Sequence, residues 1–236
     1  LSFNTAISPS TTALIDHFLT ARAGLRRNLS QSRAERLGRP IKGHEFDDHG
    51  MLVGRAGLSP VMVGRSSELG RLSGLIGASP TPVVALVAGE PGIGKTRLVQ
   101  ELVATVPDGT VVLAGQADPG TVGRPMELFL DSLRHVDLDA HADLAEVVRD
   151  PDRPADDRVR AAVDLVRIVI GEHLGLVVFE DLHWADSESL AVFERLAEPD
   201  GGRLVVVGTY RPEGLSRRHP TSELLPRLER RRAVTH

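Results

Sequence analysis

The sequence predicts an α/β domain built on a parallel β-sheet. Strand-length apolar runs at 82–88, 110–115, 174–179 and 204–209 alternate with segments whose apolar residues follow helical spacing. Continuous apolar strands are typical of a parallel sheet that helices cover on both faces. With 236 residues, 41% of them hydrophobic, the chain can bury the core of one large domain, or of one domain with an appendage.

The predicted helices and strands alternate from residue 61 onward. Helices are predicted where apolar residues recur three and four positions apart, as at Met126, Phe129 and Leu133. Residues 137–157 are acidic and contain proline, so we expect a loop there with at most a short helix. The predicted helices are 66–76, 95–106, 126–133, 159–170, 187–197 and 222–231.

Residues 1–60 lack this alternation. Apolar residues at helical spacing, such as Leu14 and Phe18, predict one short amphipathic helix near 11–28, and a polar, basic stretch follows it. We therefore expect an N-terminal extension, residues 1–60, that is poorly ordered, and a folded domain that spans residues 61–236.

Composition excludes several classes of protein. The chain has no cysteine, which excludes disulfides, thiolate zinc sites and cysteine nucleophiles and fits a cytoplasmic protein. Its apolar runs are far shorter than the roughly 20 residues of a membrane span, and its start lacks the features of a signal peptide. The net charge of −4 gives no positive field for nucleic acid. We expect neither membrane insertion nor direct DNA binding.

A glycine-rich loop, residues 89–96, joins the strand 82–88 to the helix 95–106. Its sequence, Gly-Glu-Pro-Gly-Ile-Gly-Lys-Thr, matches the phosphate-binding pattern G-x-x-x-x-G-K-[ST] in the strand–loop–helix context that this pattern requires. Lys95, one of two lysines in the chain, would reach the β- and γ-phosphates, and the Thr96 hydroxyl would bind Mg²⁺. An ordinary glycine-rich turn is the less favoured alternative. The predicted nucleotide-binding residues here are Gly89, Glu90, Pro91, Gly92, Ile93, Gly94, Lys95, Thr96 and Arg97.

Charged residues follow two further strands. Glu180 and Asp181 come directly after 174–179, where ligands of open α/β sheets bind. One carboxylate can join Thr96 in holding Mg²⁺, and the other can polarise an attacking water. Arg211 follows 204–209 and would face the γ-phosphate, although a surface arginine is a serious alternative. Asp186 is expected to cap the helix that begins at residue 187.

Three segments of the chain carry a family resemblance. Residues 89–96, 179–186 (Phe-Glu-Asp-Leu-His-Trp-Ala-Asp) and 208–213 (Gly-Thr-Tyr-Arg-Pro-Glu) resemble the ATPase module of large LuxR-type, MalT-like transcription regulators, which belong to the STAND class of AAA+-related ATPases. Val63, Gly64 and Arg65 resemble the opening motif of that family, near which the adenine binds. The resemblance covers the chain from about residue 61 to its end.

The resemblance implies a three-layer P-loop NTPase with strand order 5-1-4-3-2, in which residues 233–236 are at most the start of the fifth strand. It assigns Glu180 to the metal position, Asp181 to polarising the attacking water and Arg211 to sensing the γ-phosphate. Glu180 stands where related ATPases often have aspartate, which is compatible with slow turnover and leaves the division of labour within the acidic pair open.

The implied function is ATP binding and weak hydrolysis, with ATP/ADP exchange acting as a switch that controls transcription. The implied partners of the full-length regulator are an inducer, further copies of itself and promoter DNA. The family continues with a lid, helical repeats and a helix-turn-helix, for which this sequence has no counterpart. Two other functions stay open: a small-molecule kinase, and a nucleotide-binding remnant without turnover.

Overall fold

The computed structural model describes residues 64–76, 82–121, 124–198, 202–213, 215, 219–230 and 234–235. Residues 1–60 lie outside these ranges, so the expected N-terminal extension and its helix stay predictions. Val63 also lies outside them. The strands are β1 (Val83–Ala88), β2 (Val111–Gln116), β3 (Gly175–Glu180), β4 (Leu204–Tyr210) and β5 (Val234–Thr235).

The five strands form one parallel sheet in the order β2-β3-β4-β1-β5. This is the order that the family resemblance implies, and the fold class is confirmed. The short β5 pairs with β1 through Val234 opposite Val84 and Thr235 opposite Ala85, as expected of the start of a fifth strand. The two central strands β3 and β4 are buried at every position, which explains their continuous apolar sequences.

Helices cover both faces of the sheet. They are α1 (Ser66–Leu75), α2 (Lys95–Thr105), α3 (Glu127–Ser132), α4 (Ala142–Arg149), α5 (Ala155–Ile170), α6 (Ser187–Leu196) and α7 (Pro220–Arg230). Among the described residues, no helix is long and apolar enough to cross a membrane.

Most predicted elements have their expected bounds to within one or two residues. The region 137–157, however, contains more helix than the predicted loop with at most a short helix. It contains the eight residues of α4 and the first turn of α5, which begins at Ala155 rather than near residue 159. Apolar spacing could not show this turn, because the three residues that follow Ala155 are charged. Asp156 and Asp157 lie there, where carboxylates favour the helix dipole.

Successive residues of β1, β2, β3 and β4 lie on alternate faces of the sheet, and each face has its own apolar core. On one face, Leu98 and Leu102 of α2 pack with Val207 of β4 in one apolar cluster. On the other face, Phe129 of α3 and Phe193 of α6 belong to a larger cluster, which also includes α5. The sheet is therefore the middle of three layers, and its position relative to α2 and α3 depends on close packing on both sides.

Gly115 is the point at which α3 approaches β2 most closely. A Cβ atom at this position would lie 2.5 Å from the carbonyl oxygen of Leu128 and 2.8 Å from the backbone nitrogen of Ser132. Both atoms belong to the backbone of α3 and cannot move aside without moving the helix. Only glycine therefore allows this contact.

We expect Gly115→Ala to lower the free energy of unfolding by about 1–3 kcal/mol, the usual cost of overpacking a core. The matched control is Gly70→Ala in α1, where a Cβ atom would meet nothing within 4 Å. That control should stabilise the protein by about 0.5–1 kcal/mol, because alanine favours the helix over glycine. Urea unfolding of the three proteins measures both effects, and equal stability of Gly115→Ala and the wild type would contradict the packing described.

Candidate functional site

The glycine-rich loop leaves β1 at the carboxyl edge of the sheet and leads into the N-terminus of α2. Gly92 and Gly94 have φ angles of 77° and 94°, in the left-handed region that favours glycine. Gly94 is the N-cap residue of α2, and it has no side chain to bond to the first N–H groups of that helix. Such N–H groups, together with the helix dipole, form a site that favours anions.

Lys95 folds back over this loop. Its Nζ donates hydrogen bonds to the carbonyl oxygens of Gly89 at 2.8 Å and Glu90 at 3.1 Å, and the residue is only 7% exposed. Burial lowers the pKa of Lys95, and the nearby Asp181 carboxylate opposes this decrease. The ammonium group therefore lies within electrostatic range of an acid from another strand.

The remaining predicted residues of the loop and of the first turn of α2 have different surroundings. Ile93 is 45% exposed at the tip of the loop. Thr96 is half-buried beside Lys95. Arg97 forms an ion pair with Glu101, one turn further along α2.

The two acids lie at the end of β3. Glu180 is the last strand residue and is 1% exposed. Asp181 follows with a φ of 58°, which turns the chain out of the sheet into a 3₁₀ turn, Leu182–Trp184. Aspartate tolerates this left-handed conformation better than most residues.

Both neighbouring strands hold Asp181 in place. Its backbone N–H donates to Oγ1 of Thr209 in β4 at 3.0 Å, and its Oδ2 accepts from Nε2 of Gln116 in β2 at 2.7 Å. Neither partner was assigned a role from the sequence. The signal that could have identified them is their position, since both are polar residues at the carboxyl end of an apolar strand.

Arg211 follows β4 and belongs to the same group of charges. It lies close enough to Lys95 to contribute to the lowering of that pKa, and it acts on His183 in the same way. The structure therefore brings Lys95, Asp181 and Arg211 together from three strand ends.

The described residues of the opening motif lie at the start of α1. Gly64 and Arg65 directly precede α1, and the Arg65 carbonyl accepts from the backbone N–H of Leu69 in that helix. The described contact between α1 and α2 includes the hydroxyl groups of Ser73 and Thr105, 3.4 Å apart. The two motif residues thus precede a helix that packs on α2, and this contact lies at the end of α2 away from the glycine-rich loop.

His183 lies in the turn after Asp181 and was not assigned a role from the sequence. It is 8% exposed, and its Nδ1 lies 4.0 Å from Oδ1 of Asp181. Burial lowers the pKa of His183, and the Asp181 carboxylate opposes this effect. Trp184 packs beside it, with ring centres 5.2 Å apart.

Asp186 caps α6, as the sequence predicts. Its Oδ1 accepts from the backbone N–H groups of Glu188 at 3.1 Å and Ser189 at 2.8 Å. The same oxygen also accepts from the backbone N–H of Met126 at 2.9 Å, so one carboxylate fixes the starts of both α6 and α3.

The strand ends and the loop together fit a nucleoside triphosphate with Mg²⁺. An anion would meet the N-terminus of α2, which has no side-chain cap, and two cationic side chains. The carboxylates lie at the end of β3, two strands from β1 at the same edge. A separate cavity of about 730 Å³ lies between α3 and α4, and none of the residues lining it belongs to the glycine-rich loop. The residues with phosphate-binding chemistry therefore lie apart from this cavity.

Comparison with known proteins agrees with this geometry. A family model described as an AAA ATPase domain matches residues 61–207, which include the glycine-rich loop and both acids. A search for relatives among curated proteins found no match. Because the family model matches more than half of the chain, and because the sheet order and the loop agree with it, this protein belongs to the AAA ATPase domain family.

Proposed function

We propose that the domain binds Mg·ATP at the glycine-rich loop and hydrolyses it slowly, as a nucleotide-dependent switch within a transcription regulator. One observation carries the enzymatic part: Lys95, Asp181 and Arg211 cluster at one sheet edge beside the uncapped N-terminus of α2. Membership of the AAA ATPase domain family supports nucleotide binding and hydrolysis in the same place.

Nucleotide binding would change the hydrogen-bond partners of Lys95. The ammonium group, which bonds to the carbonyl oxygens of Gly89 and Glu90, would turn to the β- and γ-phosphates. The Thr96 hydroxyl and the Glu180 carboxylate would hold Mg²⁺, together with phosphate oxygens and water. Bound there, Mg²⁺ supplies neutralisation of the phosphate charge.

Hydrolysis requires a base beside the γ-phosphate. Gln116 binds Oδ2 of Asp181, whereas Oδ1 lies 4.0 Å from Nδ1 of His183. Asp181 is therefore the better placed of the two acids to accept a proton from water, whereas Glu180 is almost fully buried. Arg211 would bind the γ-phosphate from the end of β4 and so distinguish ATP from ADP.

The switch and the regulatory role rest on the resemblance of residues 179–186 and 208–213 to LuxR-type, MalT-like regulators of the STAND class. An inducer, self-association and promoter DNA are the partners that this proposal includes for the full-length protein, and its place is the cytoplasm. Residues 1–60 form a separate extension in this proposal. A promoter-binding assay of the purified full-length protein, with and without ATP, tests the regulatory part.

We expect Lys95→Ala to weaken binding of Mg·ATP by about 10- to 100-fold, since charge-assisted hydrogen bonds contribute about 1.5–3 kcal/mol each. The fold should persist, which circular dichroism and thermal unfolding check. Titration with a fluorescent ATP analogue measures the affinity. Lys42→Ala removes the other lysine and should bind like the wild type; an equally tight Lys95→Ala protein would show that ATP binds elsewhere.

A second prediction separates the two acids. Asp181→Asn should lower kcat by about 100-fold or more and change ATP affinity little, because a general base acts in the transition state. Asparagine also tolerates the left-handed backbone at this position. Glu180→Gln should instead weaken the dependence of ATP binding on Mg²⁺. Phosphate release and Mg²⁺ titrations measure these effects, and the opposite pattern would exchange the two roles.

A third prediction concerns Arg211. Arg211→Gln should weaken ATP binding by about tenfold and leave ADP binding unchanged, because the guanidinium group would contact only the γ-phosphate. Arg160→Gln on the exposed face of α5 removes the same charge from a helix on the other face of the sheet from α2 and serves as the control. Competition titrations with ATP and ADP give the ratio of affinities; an equal loss for both nucleotides would assign Arg211 a general electrostatic role.

A further inference from the structure

The imidazole of His183 is the clearest unexplained polar group near the proposed site. The residue is 8% exposed, and among the described residues neither ring nitrogen has a hydrogen-bond partner. In every protonation state an imidazole carries at least one N–H donor. Buried polar groups in folded proteins nearly always have a partner, so this ring requires one that the described part of the chain does not supply.

The position of the ring indicates where that partner lies. Nδ1 of His183 is 4.0 Å from Oδ1 of Asp181, which is too long for a direct hydrogen bond. It is a separation that a single water oxygen can bridge. Lys95 and Arg211 both act electrostatically on the imidazole, so the ring belongs to the same group of charges as the residues that would hold the phosphates.

The turn that carries His183 is firmly held. Oγ1 of Thr221, at the start of α7, donates to the backbone carbonyl of Leu182 at 2.7 Å, and Thr221 is fully buried. Leu182 itself packs against Gly208, where a Cβ atom would lie 2.6 Å from its Cδ1. These two contacts fix Leu182, which lies between Asp181 and His183, so the imidazole has a defined place beside Asp181.

We propose that His183 is a further catalytic residue, whose Nδ1 holds the attacking water together with Oδ1 of Asp181. This inference rests on the proposed ATP hydrolysis. The water oxygen forms a bond to the γ-phosphorus, while the bond from that phosphorus to the β–γ bridging oxygen breaks. ADP leaves with the electron pair of the broken bond, and Asp181 accepts the proton from water. His183 orients the water and takes up no proton.

The experiment compares the full chain with His183→Phe, His183→Asn and a control, His173→Phe. Phenylalanine keeps a planar ring beside Trp184 but has no nitrogen, whereas asparagine returns an amide group near the position of Nδ1. His173 is exposed before β3, and its substitution should change nothing. Steady-state phosphate release gives kcat, and a fluorescent ATP analogue gives the affinity.

We expect His183→Phe to lower kcat at least 20-fold while its affinity for Mg·ATP stays within threefold of the wild type. His183→Asn should recover at least fivefold of that loss. Trp184 is the only tryptophan of the chain, and its emission reports whether the turn is intact in each variant. A second measurement is independent of turnover: the ¹⁵N resonance of His183 Nδ1 should shift when ADP with aluminium fluoride binds, but not with ADP alone.

Two results would overturn the inference and leave the ATPase proposal standing. One is a His183→Phe protein that hydrolyses ATP at the wild-type rate. The other is a loss of affinity and of native Trp184 emission along with kcat, which would mean that the ring only fills space. A wild-type chain that binds ATP without turnover would instead refute the proposed hydrolysis. In that case an unchanged Nδ1 resonance with ADP and aluminium fluoride would also refute the role of His183.

Discussion

The in-register pairing of four parallel strands brings the chemistry of this domain to one edge. Gln116 lies opposite Glu180, Phe179 opposite Gly208 and Ala88 opposite Tyr210, so β1, β2, β3 and β4 end within one residue of the same level. A slip of one residue in any pair would turn the side chains of a strand to the opposite face of the sheet and move the strand end by more than 3 Å. The glycine-rich loop, the acids and Arg211 are distant in sequence, and this register is what makes them neighbours.

Polar groups buried between the helices of one layer keep those helices in fixed positions. Asp186 joins α3 to α6, and Arg158 of α5 pairs with Glu188 of α6 at 2.5 Å with both side chains largely buried. Burial raises the pKa of Glu188, and Arg158 opposes that rise. Buried pairs of this kind add little net stability, but losing one partner leaves an uncompensated charge, so they disfavour other arrangements of the helices.

The parts of the protein that sequence could predict are those encoded locally. Apolar runs and helical spacing predicted the strands and most helices, and the glycine-rich loop was recognisable from eight consecutive residues. The contacts of Asp181 with Gln116 and Thr209 join residues 65 and 28 positions apart, and no local pattern indicates such pairs. The strand order came from the family resemblance, since apolar spacing does not tell which strands are neighbours.

The left-handed backbone of Asp181 restricts which amino acids position 181 can hold. Most side chains lose roughly 1–2 kcal/mol there, whereas glycine, asparagine and aspartate adopt this conformation readily. A library randomised at this codon and selected for folding alone would be enriched in those three, and aspartate is the only one with a carboxylate. Glutamate is chemically similar but lacks the short side chain that suits this backbone. The choice of acid at the end of β3 is thus limited by the shape of the main chain as well as by the reaction.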